Sequence, residues 1–278
     1  MDTYPKYSVL MSLYAKEKPE YLRLAIDSML KQTVVPDEIV IVEDGPLTDT
    51  LYAVLDEYKT KFLQIIRTVR NEKNLGLGLA LNVGLNECRN DLVARMDTDD
   101  IAKDDRCERQ LKYFLENPDT TILGGQIAEF ITSPENIVGR RVVPETDFEL
   151  KEFIKKRCPF NHMTVMFKKT DVIKAGNYQD WFWNEDYYLW IRLALEKFLF
   201  ANLPDILVYT RVGADMYQRR GGDKYFRSEI EIQKLMLRKK LIGYGTFLMN
   251  CGKRLVVEKL MPNRVRGWVF QKFARERG

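Results

Sequence analysis

The sequence predicts an α/β chain on a mostly parallel, Rossmann-like sheet, with a mixed second half and a helical C-terminal region. Three observations carry this. Short apolar runs alternate with helix-period segments over the first hundred residues, several of those runs end in polar or acidic residues, and beyond residue 117 strands are separated by longer irregular pieces.

Each element follows from its local pattern. Tyr7 to Leu13 reads as a strand, and Pro19 to Gln32 as a helix with Leu22, Ala25, Ile26, Met29 and Leu30 at helical spacing. Asp37 to Val42 is a continuous apolar strand closed by Glu43, Asp44, Gly45 and Pro46. A helix near Thr50 to Lys59 leads into a strand at Leu63 to Thr68. Next, Asn74, Gly76 and Gly78 open a helix that runs to about Glu87. Leu92 to Met96 is the following strand, and Arg106 to Asn117 the following helix. Strands at about Thr121 to Ile131, Ile137 to Val143 and Thr164 to Phe167 precede a helix over Asp186 to Lys197, striped by Leu189, Trp190, Leu193 and Ala194. Strands at Phe198 to Asn202 and Ile206 to Arg211 finish the body.

Composition narrows the function. A chain of 278 residues buries a substantial core and needs no disulfide scaffold. Cys88, Cys107, Cys158 and Cys251 form no CxxC pair, so neither a zinc ribbon nor a redox motif is indicated. No apolar leader follows Met1 and no run of about 18 apolar residues occurs, which reads as a cytoplasmic protein. Charge is unevenly spread: residues 219–278 hold 16 Lys and Arg against 5 Asp and Glu, whereas the rest holds 28 against 35. The acidic body disfavours nucleic acid. The basic end suits phosphate groups, including an anionic membrane surface.

The residues just past the apolar runs are where open α/β sheets bind ligands. Tyr14 follows the first strand, Glu43 and Asp44 the second, and Asp97, Asp99 and Asp100 the fourth. Three carboxylates within four residues repel one another and favour a hard cation such as Mg²⁺ or Mn²⁺. An EF-hand is excluded, because Ile101 and Ala102 stand where a ligand and a glycine are required. Asp104 or Asp105 can cap the next helix, which leaves Asp97 and Asp99 free of that task. Gly76 and Gly78 start a GxGxxG pattern that fails at Leu81, and a glycine-rich helix start still lets backbone approach an anion. Trp183, Asn184, Glu185 and Asp186 open a later helix, where a carboxylate either caps the helix or takes a proton. His162 lies just before an apolar strand, as a packed residue or a site residue. Arg211, Arg219 and Arg220 precede Gly221-Gly222, a pattern that suits a diphosphate or a solvated charge run.

Together these motifs resemble family 2 glycosyltransferases of the GT-A fold, in particular bacterial enzymes of capsule and exopolysaccharide assembly. The resemblance covers about Tyr7 to Arg220 and rests on Tyr14, Glu43-Asp44-Gly45, Asn74-x-Gly76 with Ala80, Asn82 and Gly84, Asp97-x-Asp99-Asp100, and Glu185-Asp186 with Trp190 and Arg192. Ser12, Ala15 and Pro46 depart from the family pattern. The resemblance implies a catalytic domain over 1–218, with a nucleotide-binding half at 1–105, an acceptor-binding half at 106–218, and 219–278 appended. It implies that Asp44, with Glu43, Tyr14, Asn74 and Gly76, binds a nucleotide sugar, that Asp97 lies near ribose or metal, and that Asp99 ligates Mg²⁺ or Mn²⁺. Asp186, beside Glu185, would be the general base of an inverting transfer from a UDP-sugar. His162, Trp183, Arg211, Arg219 and Arg220 would flank the acceptor or diphosphate.

The expected acceptor is a saccharide, carried on lipid diphosphate. Apolar residues interleaved with Lys and Arg in the tail suit peripheral contact with the inner face of the plasma membrane, and equally packing on the body. Two other readings share these features. One is a sugar nucleotidyltransferase, although no Gly-x-Gly-x-Arg loop follows Leu10; the other is a non-catalytic membrane module.

Overall fold

The computed structural model describes residues 4–213 and 222–260. Arg219, Arg220 and everything beyond Leu260 lie outside the described residues, as does the expected boundary at 218. The first half runs β1 (Tyr7–Leu13), α1 (Pro19–Leu30), β2 (Glu38–Asp44), α2 (Asp49–Lys61), β3 (Ile66–Asn71), α3 (Leu77–Glu87) and β4 (Leu92–Arg95). Then follow β5 (Ile101–Ala102), α4 (Arg106–Glu116), β6 (Thr120–Phe130), β7 (Ile137–Arg141), α5 (Asp147–Phe153), a 3₁₀ turn at His162–Thr164 and β8 (Met166–Lys168). Last are α6 (Lys169–Lys174), α7 (Glu185–Leu195), β9 (Leu199–Arg211), α8 (Asp223–Arg238), α9 (Tyr244–Arg254) and a π turn at Leu255–Leu260.

One sheet of order β3-β2-β1-β4-β8-β6-β9-β5 joins both halves, with β7 added to β6. β3, β2, β1 and β4 are parallel neighbours, whereas β8 runs antiparallel to β4 and β6. β1 and β2 are apolar on both faces because helices cover both sides. One core packs Val9, Met11, Ile39 and Ile41 against α1, α2 and α4. The opposite core packs Leu10, Val40 and Val42 against α3 and α7, and it includes Ile232 and Met236 of α8 and Ile242 of the turn before α9. Gly84 lets α3 sit directly on the sheet, since a Cβ there would lie 2.5 Å from Leu10 and Val42 side chains.

Four expectations change. β3 begins at Ile66 rather than Leu63, because Leu63 is exposed on the turn after α2. The strands expected at 198–202 and 206–211 are one strand, β9, whose register against β6 shifts between Asn202 and Ile206. Pro204, which has no N–H to donate, occupies that irregular stretch. Gln126 fills it, donating to the Val143 and Leu203 carbonyls and accepting from the Val143 N–H. The strand expected at 164–167 is a 3₁₀ turn followed by β8. Finally, Asp105 stands at the N-cap of α4 but makes no capping bond, because its carboxylate pairs with Arg109. The helix α5, which the sequence reading did not place, carries a capping box, Thr146 with Glu149.

Candidate active site

Because β2, β1 and β4 are parallel neighbours, their carboxyl ends lie side by side, and the loops leaving them share one edge. The β1 loop contributes Tyr14, which is partly exposed, and Glu17, whose carboxylate accepts the Thr98 hydroxyl at 2.9 Å. That bond ties the loop after β1 to the acidic loop after β4.

At the end of β2 both acids are buried and partnered. Glu43 accepts from Arg70 Nε at 2.8 Å. Asp44 accepts from the Leu75 N–H, the Gly76 N–H and the Asn71 amide, while Asn74 donates to the Asp44 carbonyl. Gly45 completes the junction with φ +86°, and a Cβ there would lie 2.6 Å from the Asn74 nitrogen. Asp44 therefore holds the 71–76 segment, and one lone pair of Oδ2 remains beyond these bonds.

The acidic loop gathers Asp97, Asp99 and Asp100, one oxygen of each lying within 4.8 Å of the others. Burial, then the Asp97 and Glu17 charges, push the Asp99 carboxyl up to about 7. Burial and both neighbouring aspartates raise Asp100 well above the carboxylate range. Asp100 Oδ1 accepts the Arg211 N–H at 2.8 Å, and Oδ2 is buried without a partner. Three hard oxygen donors, mutual repulsion and an orphaned oxygen fit a divalent cation. Asp100, one of the three carboxylates read as a cation cluster though not named as a ligand by the family resemblance, stands with Asp97 and Asp99 in the candidate donor set.

A second acidic pair, Glu185 and Asp186, opens α7. It lies against the start of α3, where a Cβ on Gly78 would stand 2.9 Å from Glu185 Cβ and from the Gln179 carbonyl. The Tyr187 N–H donates to Asp186 Oδ1 at 2.7 Å and the Cys158 thiol to Oδ2 at 3.4 Å. Cys158 is in turn set by Arg141, which donates to the carbonyls of Cys158 and Phe160 and to Asn161 Oδ1. Burial raises both carboxyls, Glu185 up to about 7 with the Asp186 charge contributing. Asn82 and Arg192 fasten this part together: Asn82 donates to the Tyr178 carbonyl, and Arg192 to the Ala175 and Asn177 carbonyls.

Arg95, which reading by pattern placed inside an apolar strand, lies buried beside the first acidic group. It is 2% exposed, pairs with Asp97, and leaves Nε and Nη1 buried without partners. Its charge lowers the carboxyls of Asp99, Asp100, Glu185 and Asp186 against the rise caused by burial. Replacing Arg95 with Met is expected to lower the unfolding free energy in urea at pH 8, because the carboxyls of Asp99, Asp100, Glu185 and Asp186 lose a nearby positive charge while partly exposed Asp97 is left to solvent. Arg95→Lys, which keeps the charge, should recover part of that loss.

The remaining candidates occupy distinct places. His162 is buried and shares a 2.9 Å hydrogen bond with Tyr178, edge-on to Trp190; burial lowers its pKa well below the usual range, so it is neutral. Trp183 is exposed beside Glu185 at φ +60°. Arg211 reaches the acidic loop itself, donating from Nε to the Asp99 carbonyl while its guanidinium packs between the rings of Tyr21 and Phe130.

Comparison with known proteins places the chain in a family. The model "Glycosyl transferase family 2" matches residues 8–175. An uncharacterized glycosyltransferase of Haemophilus influenzae is 45% identical over 98% of this chain and 100% of its own length. The amylovoran biosynthesis glycosyltransferase AmsE of Erwinia amylovora is 40% identical over 96% of this chain and 98% of its own. The UDP-Gal:alpha-D-GlcNAc-diphosphoundecaprenol beta-1,3-galactosyltransferase of Escherichia coli is 39% identical over 99% and 98%. Among solved structures, S. aureus TarS 1-349 in complex with UDP has TM-score 0.64 and 20% identity, covering 95% of this chain and 75% of that one; the longer TarS chain is spanned to 44%. The Pyrobaculum calidifontis mannosyltransferase PcManGT in complex with GDP-Man and Mn2+ has TM-score 0.63 and 15% identity, covering 95% of this chain and 78% of its own. These likenesses set aside the nucleotidyltransferase and the non-catalytic module: the chain belongs to glycosyl transferase family 2 and is a glycosyltransferase with the GT-A fold.

Proposed function

We propose that this enzyme transfers a sugar from a UDP-sugar to a hydroxyl of a lipid-diphosphate-linked saccharide, with inversion, during surface polysaccharide assembly. The observation that carries the reading is a pair of acidic groups, the Asp97, Asp99 and Asp100 cluster suited to a cation and Glu185-Asp186, whose carboxyls burial raises toward holding a proton. The amylovoran and diphosphoundecaprenol relatives support the polysaccharide and the lipid-linked acceptor.

In the proposed step Asp186 accepts the proton of the acceptor hydroxyl, the oxygen bonds to the anomeric carbon, and the bond from that carbon to the diphosphate oxygen breaks. Cys158 and the Tyr187 N–H orient Asp186 for this task. Asp97, Asp99 and Asp100 would hold Mg²⁺ or Mn²⁺, which supplies positive charge against the leaving diphosphate. Tyr14, Glu43, Asp44, Asn74 and Gly76 flank the nucleotide, with Asp44 acting largely by shaping the 71–76 segment. Trp183 and Arg211 border the opposite sides, at Glu185 and at the acidic loop. His162, held neutral, supports the wall through Tyr178 and Trp190. The enzyme would work from the cytoplasm against the inner membrane surface.

The test is incubation with UDP-sugars and a diphosphate-linked saccharide. UDP release that requires acceptor, stops with EDTA and returns with Mn²⁺ or Mg²⁺ is expected, with an inverted anomeric centre by NMR. A retained configuration, or no turnover with any UDP-sugar, overturns the reading.

A further inference from the structure

The C-terminal helix α9 uses only one of its faces to join the body. Phe247 packs into the core beside Met236 and Ile242. Asn250 donates to the Lys155 carbonyl and to Gln233 Oε1, and Arg254 donates to Glu229 at 2.6 Å and to the Lys156 carbonyl. These groups recur at three- and four-residue spacing and account for the attachment.

The other face is apolar and open. Tyr244, Leu248 and Leu255 fall on one stripe, bordered by Met249 and Val256 seven residues apart; they are 72, 63, 40, 46 and 51% exposed respectively. A surface helix that hides polar residues and presents Leu, Met and Val outward inverts the arrangement water favours. Among the described residues, no helix is long and apolar enough to cross a membrane, so this face would lie along a surface.

Charge identifies that surface. From Ile232 to Val257 the chain holds Lys234, Arg238, Lys239, Lys240, Lys253 and Arg254, and no Asp or Glu. Lys234 pairs with Glu231 and Arg254 with Glu229, whereas Arg238, Lys239, Lys240 and Lys253 are exposed at the two ends of the apolar face. An apolar stripe framed by exposed cations matches an anionic bilayer, whose headgroups take Lys and Arg while the acyl boundary takes Leu and Val.

We infer that the outer face of α9 and of the π turn continuing it, Tyr244, Leu248, Met249, Leu255 and Val256 with its flanking lysines, docks on anionic phospholipid. The inference rests on the function above only for where the acceptor resides; the surface is read from α9 itself. The same connection links it to the site, because Ser228 of α8 bonds both Asn184 and the Phe182 carbonyl, next to Glu185.

Vesicle sedimentation of the full chain tests it. Binding to phosphatidylcholine–phosphatidylglycerol vesicles is expected, weakened at least about tenfold on phosphatidylcholine alone and declining with salt. Leu248→Glu with Val256→Glu, and separately Lys239→Glu with Lys240→Glu, should each lose at least about tenfold. Melting temperature and metal-dependent UDP-sugar binding should stay unchanged, and so should transfer to a water-soluble acceptor. Absence of wild-type binding, or equal binding by the Glu variants, overturns the inference. So does a dimer dissolved by Leu248→Glu without vesicle binding, which would assign the face to a second copy. Failure of UDP-sugar transfer with vesicle binding intact would overturn the function and leave the docking face standing.

Discussion

Asp186→Asn is expected to lower turnover by about 10²–10⁴-fold while donor binding holds, because it removes the proton acceptor and little volume. Asp186 is placed for this: its two oxygens each accept one donor, and Oδ1 is fixed by the backbone of its own helix. The pH dependence follows from the pair it forms with Glu185. Burial raises both carboxyls, with Glu185 up to about 7, so the pair holds a proton at pH values where an ordinary carboxyl has lost it. A base must be unprotonated to act. Turnover should therefore fall as pH drops through about 7, and the wild-type limb belongs to the pair rather than to one residue. Measuring kcat and donor KM for Asp186→Asn and Glu185→Gln across pH separates the roles. Near-normal turnover of Asp186→Asn would move the base to Glu185.

Asp99→Asn should abolish metal-dependent transfer and at the same time stabilise the metal-free protein. The Asp99 carboxyl rises from an ordinary 3.8 to about 7 on folding, chiefly through burial. The folded state then binds its proton more tightly than the unfolded chain, so stability falls as pH rises between those values and the full cost is present above them. At pH 8 without metal, removing the charge is expected to add on the order of 2 kcal/mol, after allowance for partial exposure and coupling to Asp100. For a chain of this size that is a rise of about 4–8 °C in Tm. At pH 4 the gain should vanish. Mn²⁺ should raise the wild-type Tm at pH 8 and leave the variant's nearly unchanged. A variant that melts earlier than wild type at pH 8 would show that Asp99 does not carry this cost.

Much of the proposed site was legible because open α/β sheets bind ligands where their apolar strands stop. Asp44, Asp97 and Asp99 each follow a strongly patterned strand, so their location at the sheet edge could be read from the pattern, whereas Glu185-Asp186 was legible only as a helix start and drew its role from the family resemblance. Arg95 could not, because a strand is recognised by what it buries, and Leu92 to Met96 hides a cation among apolar neighbours. The available signal was the incongruity of an arginine in a buried strand next to three acids. Cys158 and Arg141 escaped for a different reason: Cys158 meets Asp186 across 28 residues of chain and Arg141 meets Cys158 across 17, and nothing local announces either meeting. The two-residue β5 is too short for any period. In the tail, apolar and basic residues were visible, but which apolar ones the body consumes depends on Asn250 and Arg254 facing inward.

Asp44 carries a consequence for anyone who would redesign this enzyme. Its oxygens already hold the Leu75 and Gly76 amides and the Asn71 side chain, so substituting it dismantles a neighbouring segment before it alters any ligand contact. The exchangeable module is the end of β2 together with residues 71–76 and Gly45, grafted whole. Point libraries confined to Asp44 would mostly sample collapsed loops, whereas transplanting that two-part cassette between relatives preserves its internal bonds and varies what it presents.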